Sequence, residues 1–129
     1  MPDKVPDSVP DRPRSQALGR AGRLRRRADY VAVQEQGRRV SGRFYLLLAR
    51  PREQPGGARF GVTVSRKVGG AVQRNRVKRW VRESYRRLQA LAPADTDLVL
   101  IARPAAVTSG LAATAAELEL LLKRLGRGR

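Results

Sequence analysis

Apolar residues fall along the chain in short runs and at helical spacings, separated by glycine and proline. Residues 1–20 carry no apolar periodicity and alternate Pro, Asp and Arg. Such a segment cannot bury enough surface to offset its ordering entropy, so a disordered tail is expected there, ahead of one folded domain over residues 21–126. Asp29 to Gln36 predicts a short helix with Tyr30 and Val33 on its inner face, closed by Gly37. Arg43 to Ala49 reads as a strand, Pro51 to Gly57 as a loop, and Arg59 to Val64 as a second strand. The simplest pairing joins these two strands as an antiparallel hairpin. Gly69 and Gly70 break the chain before a helix from about Ala71 to Leu91, which Pro93 ends. The continuous apolar run from Asp97 to Ala102 predicts a buried strand, and Pro104 to Ser109 a turn. Leu111, Ala115, Leu118, Leu121, Leu122 and Leu125 mark a final amphipathic helix, with Ser109 or Thr108 as N-cap and Gly126 as its stop. The order is α-β-β-α-β-α, an α+β sandwich of helices on a small sheet.

The second of the three helices is unlike the others. At about 100° per residue, Val77, Trp80, Val81, Ser84, Leu88 and Leu91 gather on one arc, which predicts a face packed on the sheet. Asn75, Lys78, Arg79, Arg82 and Arg86 fall on the opposite arc, flanked by Arg76, Glu83 and Arg87. Glu83 can pair with Arg79 or Arg87 one turn away. Asn75 either caps the first turn or adds uncharged hydrogen bonding to the cationic face. Side-by-side cations repel, so a helix of this kind implies a polyanion to meet it.

Composition sharpens that reading. The chain has 129 residues, 28 Lys and Arg against 11 Asp and Glu, a net charge of +17 and a pI near 11.8. Only four of the basic residues are lysine. Arginine forks onto phosphate and stacks on bases, although a GC-rich genome gives the same bias. Nucleic acid is therefore the leading partner. An anionic membrane ranks behind it, because no apolar run approaches the roughly 20 residues needed to span a bilayer. The N-terminus lacks the apolar core of a signal peptide, so a cytoplasmic protein is expected. With no Cys and no His, thiolate nucleophiles, Ser-His and Cys-His pairs and Cys or His zinc sites are excluded. Asp95 and Asp97 sit at a loop-to-strand junction and read as structural rather than metal-binding. No catalytic residues and no metal ligands are expected in this chain. Ser65-Arg66-Lys67-Val68-Gly69-Gly70 lacks the spacing of a nucleotide-binding P-loop, although Arg66 and Lys67 could still grip a phosphate. A helix-turn-helix would need a helix just upstream of the basic one, where the sequence is β-rich.

From Val64 to Glu83 the residues Val-Ser-Arg-Lys-Val-Gly-Gly-Ala-Val-Gln-Arg-Asn-Arg-Val-Lys-Arg-Trp-Val-Arg-Glu closely resemble the bacterial ribonuclease P protein subunit. The resemblance runs from about Arg23 to Leu125. It takes in Leu24-Arg25, Gly42-Arg43-Phe44 and Asp97 to Pro104. It implies a small, mostly antiparallel sheet with a left-handed β-α-β crossover around the basic helix, against the usual handedness rule. It also implies a 1:1 partnership of a monomer with a catalytic RNA that holds Mg2+ and cleaves precursor tRNA to free the mature 5′ end. Arg74, Asn75, Arg76, Lys78, Arg79 and Arg82 match the helix that meets that RNA. Tyr30 matches an aromatic of the cleft that holds the precursor's 5′ leader, with Arg66 and Lys67 beside it. Where the family often carries a second aromatic one turn later, this chain has Gln34, so leader stacking is expected either to be weaker or to come from Phe44 or Tyr45 on the strand. A ribosomal or chaperone-type RNA-binding protein is the competing class, distinguished by the RNA that co-purifies.

Overall fold

The computed structural model describes residues 22–127, so the expected tail over residues 1–20 lies outside the described residues. Helix α1 (Arg27–Gln36) leads into strands β1 (Arg38–Ser41), β2 (Tyr45–Pro51) and β3 (Arg59–Thr63). Helix α2 (Ala71–Leu88) follows and tightens into a 3-10 turn over Gln89–Leu91. Strand β4 (Thr96–Ala102), a second 3-10 turn (Pro104–Thr108) and helix α3 (Gly110–Arg127) complete the α+β fold.

The strands lie in the order β1-β2-β4-β3. β2 pairs antiparallel with both β1 and β4, whereas β3 runs parallel to β4. The expected hairpin between the second and third strands is thus not formed, because β4 lies between them. The reason is burial. Leu98, Val99 and Leu100 are fully buried, so β4 belongs in the middle of the sheet with both faces covered. β3 and β4 are consequently parallel neighbours joined through α2, a β-α-β unit.

Alternation along the strands divides the core in two. Tyr45, Leu47, Phe60, Leu98 and Leu100 face α2 and α3, where they meet Val77, Val81, Tyr85, Leu118, Leu121, Leu122 and Leu125. Leu48 and Val99 point the other way and meet Val33 of α1 and Leu24, with Tyr30, Leu46 and Ile101 half-buried around them. α1 stops where expected, but through contact rather than a left-handed turn. Gly37 is extended (φ −76°), and a Cβ there would collide with the Val33 carbonyl.

Several boundaries differ from the sequence expectation. β1 is additional. β2 starts at Tyr45 rather than Arg43, because the amides of Arg43, Phe44 and Tyr45 all donate to the Glu117 carboxylate at 3.1, 2.8 and 2.7 Å. α3 runs through Gly126 to Arg127, so Gly126 is not a stop. The Thr108 and Ser109 hydroxyls donate back to Ala105 and Ala106 carbonyls instead of capping α3. Leu91 lies past the end of α2 and is 39% exposed.

Candidate nucleic-acid interface

α2 is built from its turn outward. Val68 is buried and its amide donates to the Ser65 carbonyl (3.0 Å), which leaves Arg66 and Lys67 exposed at the tip. Gly69 takes φ +157°, a conformation that L side chains rarely adopt. The Gly70 amide then donates to Gln73 Oε1 at 2.8 Å, and Arg74 Nε donates to the Gly69 carbonyl at 3.2 Å. Gln73 therefore closes the first turn. Asn75 does not, and it stands exposed on the outer face.

Past that turn the two faces separate as the periodicity predicts. Val77, Val81 and Ser84 are buried, together with Tyr85, which the sequence arc omitted. The Tyr85 ring stacks on Phe60 with centroids 3.9 Å apart and planes 7° from parallel. Burial pushes its phenol up to about 12. Trp80 is half-buried against the main core, as a packing residue should be. On the outer side Asn75, Arg76, Arg79 and Arg82 are exposed and Lys78 is partly so. Glu83 pairs with Arg86 at 2.6 Å and Arg87 at 3.0 Å, so its charge is drawn toward the C-terminal turns. The Asn75-Arg76-Arg79 end keeps the greater excess of positive charge.

A second surface lies on the opposite side of the sheet, beside α1. Tyr30 sits over Gly61. Its phenol is pushed up by burial, partly offset by the positive charge of Arg82. Register places Ser41, Leu46, Ile101 and Thr63 side by side across the four strands. In that row Leu46, Ile101 and Thr63 are half-buried and Ser41 is exposed. The row lies on the α1 face of the sheet, two residues along β3 from Gly61, over which Tyr30 sits. Leu46, Ile101 and Thr63 were missed from sequence; only their alternation with fully buried neighbours marks them. Arg66 and Lys67 leave the end of β3 beside the same row.

The other two aromatic candidates are not brought to that face. Tyr45 is fully buried on the α3 side, and its hydroxyl is 2.8 Å from Thr114 Oγ1. A ligand cannot reach it, because β-strand alternation turns it to the face opposite Leu46. Phe44 packs at the margin of the same larger core, half-buried, with the Arg43 guanidinium 5.2 Å from its ring centroid. Gln34 is exposed on α1.

Asp97 is buried at 1% exposure and structural. Arg59 grips both its oxygens at 2.7 and 2.8 Å, and Arg52 adds a bond at 2.9 Å. Burial pushes the carboxyl up, but these two arginines outweigh it and hold the pKa below the usual carboxylate range. The Asp97 hydrogen bond in turn raises the Arg59 pKa. Asp95 accepts from the Gly56 amide and so fastens the Pro55-Gly56-Gly57 loop. Among the described residues no group of three or more Asp, Glu, His or Cys could hold a metal ion, and no helix is long and apolar enough to cross a membrane.

A cationic helix joining a parallel β3-β4 pair, with Tyr30 of α1 on the other face of the sheet, is the geometry on which comparison with known proteins bears. A family model described as Ribonuclease P matches residues 18–126. The chain belongs to the ribonuclease P protein family. The ribonuclease P protein component of Desulfovibrio desulfuricans is 46% identical over 113 residues, covering 85% of this chain and 87% of that protein. The component from Thermotoga maritima is 35% identical over 89 residues, with coverages of 69% and 75%. Among solved structures, the Staphylococcus aureus RNase P protein superimposes with a TM-score of 0.75 at 28% identity, covering 82% of this chain and 96% of that one. The Thermotoga maritima RNase P protein gives 0.71 at 33% identity, with coverages of 79% and 96%. Membership in this family makes the chain a component of an endoribonuclease that acts in tRNA maturation.

Proposed function

We propose that the chain binds the catalytic RNA of ribonuclease P through α2 and holds the 5′ leader of precursor tRNA on the sheet face beside Tyr30. The observation that carries this reading is the pair of surfaces itself. One is an exposed Asn75-Arg76-Arg79-Arg82 stripe on a helix anchored by Val77, Val81 and Tyr85; the other is the half-buried row of Leu46, Ile101 and Thr63 near Tyr30. The stripe suits a phosphate backbone, because each cation neutralised there releases a counterion and relieves repulsion within the helix. The row and Tyr30 suit a single strand: an aromatic and apolar side chains accept any base by its face, with cations alongside for the phosphates.

The chemistry itself belongs to the RNA in this proposal. With no Cys and no His the chain has no Ser-His or Cys-His pair, and the Mg2+ that supplies hydrolysis is held by RNA. Protein and RNA associate 1:1 in the cytoplasm, with the protein a monomer. Reconstitution tests the reading. At low Mg2+ the catalytic RNA should cut precursor tRNA slowly alone and quickly with the protein, and the protein alone should not cut at all. Cleavage indifferent to the protein at low Mg2+ would overturn it.

A further inference from the structure

The row ends at Ser41 on the edge strand β1, beside a second group of cations at the β1-β2 turn. β4 ends at Ala102, and Arg103 follows directly. Its Nε donates to the Gly42 carbonyl at 3.0 Å, so the side chain lies toward the turn that joins β1 to β2. Arg124 reaches the same turn from α3, where Nη1 donates to the Ser41 carbonyl at 3.2 Å. Arg43 is exposed within the turn, over the Phe44 ring.

All three guanidinium groups are positioned by uncharged partners, two backbone carbonyls and the Phe44 ring, and Glu117 beside them offsets only part of their charge. The carboxylate at the turn, Glu117, is occupied by three backbone amides. Arginines fixed in this way have less rotamer freedom to lose on meeting a phosphate. Register fixes where they stand. Ser41 closes the row that begins at Thr63, and three strand spacings separate the two, roughly 14 Å. The row therefore has Arg66 and Lys67 at the β3 end and Arg103, Arg43 and Arg124 at the β1 end.

We propose that the leader surface does not end at Tyr30 but continues across the sheet. In this inference, which rests on the leader-binding reading above, Arg43, Arg103 and Arg124 hold the phosphodiester backbone of leader nucleotides farther from the cleavage site. Half-buried Phe44, under the Arg43 guanidinium, lies at that far end. Its place is thus at the outer limit of the surface rather than beside Tyr30.

The test measures equilibrium binding of the reconstituted holoenzyme to precursor tRNA carrying either its full leader or one cut back to the nucleotides nearest the cleavage site. The double variant Arg43→Gln/Arg124→Gln changes two exposed side chains and leaves the core intact. It should bind the full-leader precursor about tenfold more weakly and flatten the salt dependence by about 1.4 logarithmic units, two single-strand phosphate contacts. The truncated precursor and the catalytic RNA alone should bind unchanged, and Arg43→Lys/Arg124→Lys should retain the slope. Equal affinity of the Gln variant and the native protein for the full-leader precursor would overturn the proposal. So would an equal loss with the catalytic RNA alone, which would place these cations against that RNA. Tyr30→Ala in the same assay separates the two levels. If it weakens leader binding while the double variant does not, only the extension fails; if neither does, the leader reading fails with it.

Discussion

Tyr30 can lie on the sheet because residue 61 has no side chain: a Cβ at Gly61 would collide with the phenol ring. Replacing Gly61 with Ala should displace Tyr30 while leaving the packed face of α2 in place. Base–aromatic contacts are worth about 1–3 kcal/mol each, so Gly61→Ala should raise KM for leader-bearing precursors at least about fivefold. Affinity for the catalytic RNA, measured by filter binding, should stay within twofold of native. Asp97 gives a prediction of the opposite kind, on stability rather than binding. Its pKa in the fold lies below that of an unfolded Asp. The carboxylate therefore contributes its full stability above about pH 3.9 and loses it as pH falls through the lower folded value. Asp97→Asn leaves Arg52 and Arg59 without their acid and should lower stability at pH 7 by about 3 kcal/mol in urea denaturation. At pH 3 the gap between variant and native protein should be visibly smaller. An equal gap at both values would mean that Asp97 acts through packing alone.

At the scale of elements, α2 divides its labour by face, and the two faces should fail differently. Arg79→Ala or Arg76→Ala should leave melting unchanged, weaken RNA binding and lower its salt slope by roughly one unit. Tyr85→Leu should do the reverse. Losing the stack on Phe60 costs about 1 kcal/mol beyond lost area, seen in thermal unfolding, while the salt slope stays native. The helix and both its faces were legible in sequence because the 3.6-residue period is local and strong. Tyr85 escaped because it lies at the edge of the arc, where only the position of Phe60 on β3 makes it core. Strand pairing was less legible. Period-2 alternation says that Tyr45 and Leu46 face opposite ways, but not which way is solvent. That depends on α3 covering one side completely and α1 covering the other only in part. β1 has a single apolar residue, Val40, in four, too little signal for a strand; its partner Leu47 supplies the reason for it. Glu117 reads as one more helix charge until the β1-β2 turn closes around it.

Over the whole molecule, a net charge of +17 on 129 residues sets stability against function. Carboxylates in the described residues are largely engaged: Asp97 and Asp29 with Arg59, Glu83 with Arg86 and Arg87, Glu119 with Lys123, and Glu117 with amides. Few remain to offset the exposed stripe of α2 or the arginines at the β1-β2 turn. Self-repulsion of this kind destabilises the compact state and is screened over about 8 Å at physiological ionic strength. Added NaCl should therefore raise the Tm of the protein alone, by a few degrees between 50 and 500 mM. RNA relieves the same repulsion far better, since phosphates occupy the cationic surfaces directly. At a hundredfold excess over Kd, bound RNA should add about 2.7 kcal/mol to unfolding. That increment must shrink as salt rises, because salt weakens the complex. Differential scanning calorimetry with and without the catalytic RNA, across the same salt series, should thus give two curves that converge. The free protein climbs with salt and the complex falls toward it. A free-protein Tm that drops with NaCl would show that the fold has absorbed its charge in ion pairs, and that the cationic surfaces carry no stored repulsion for RNA to release.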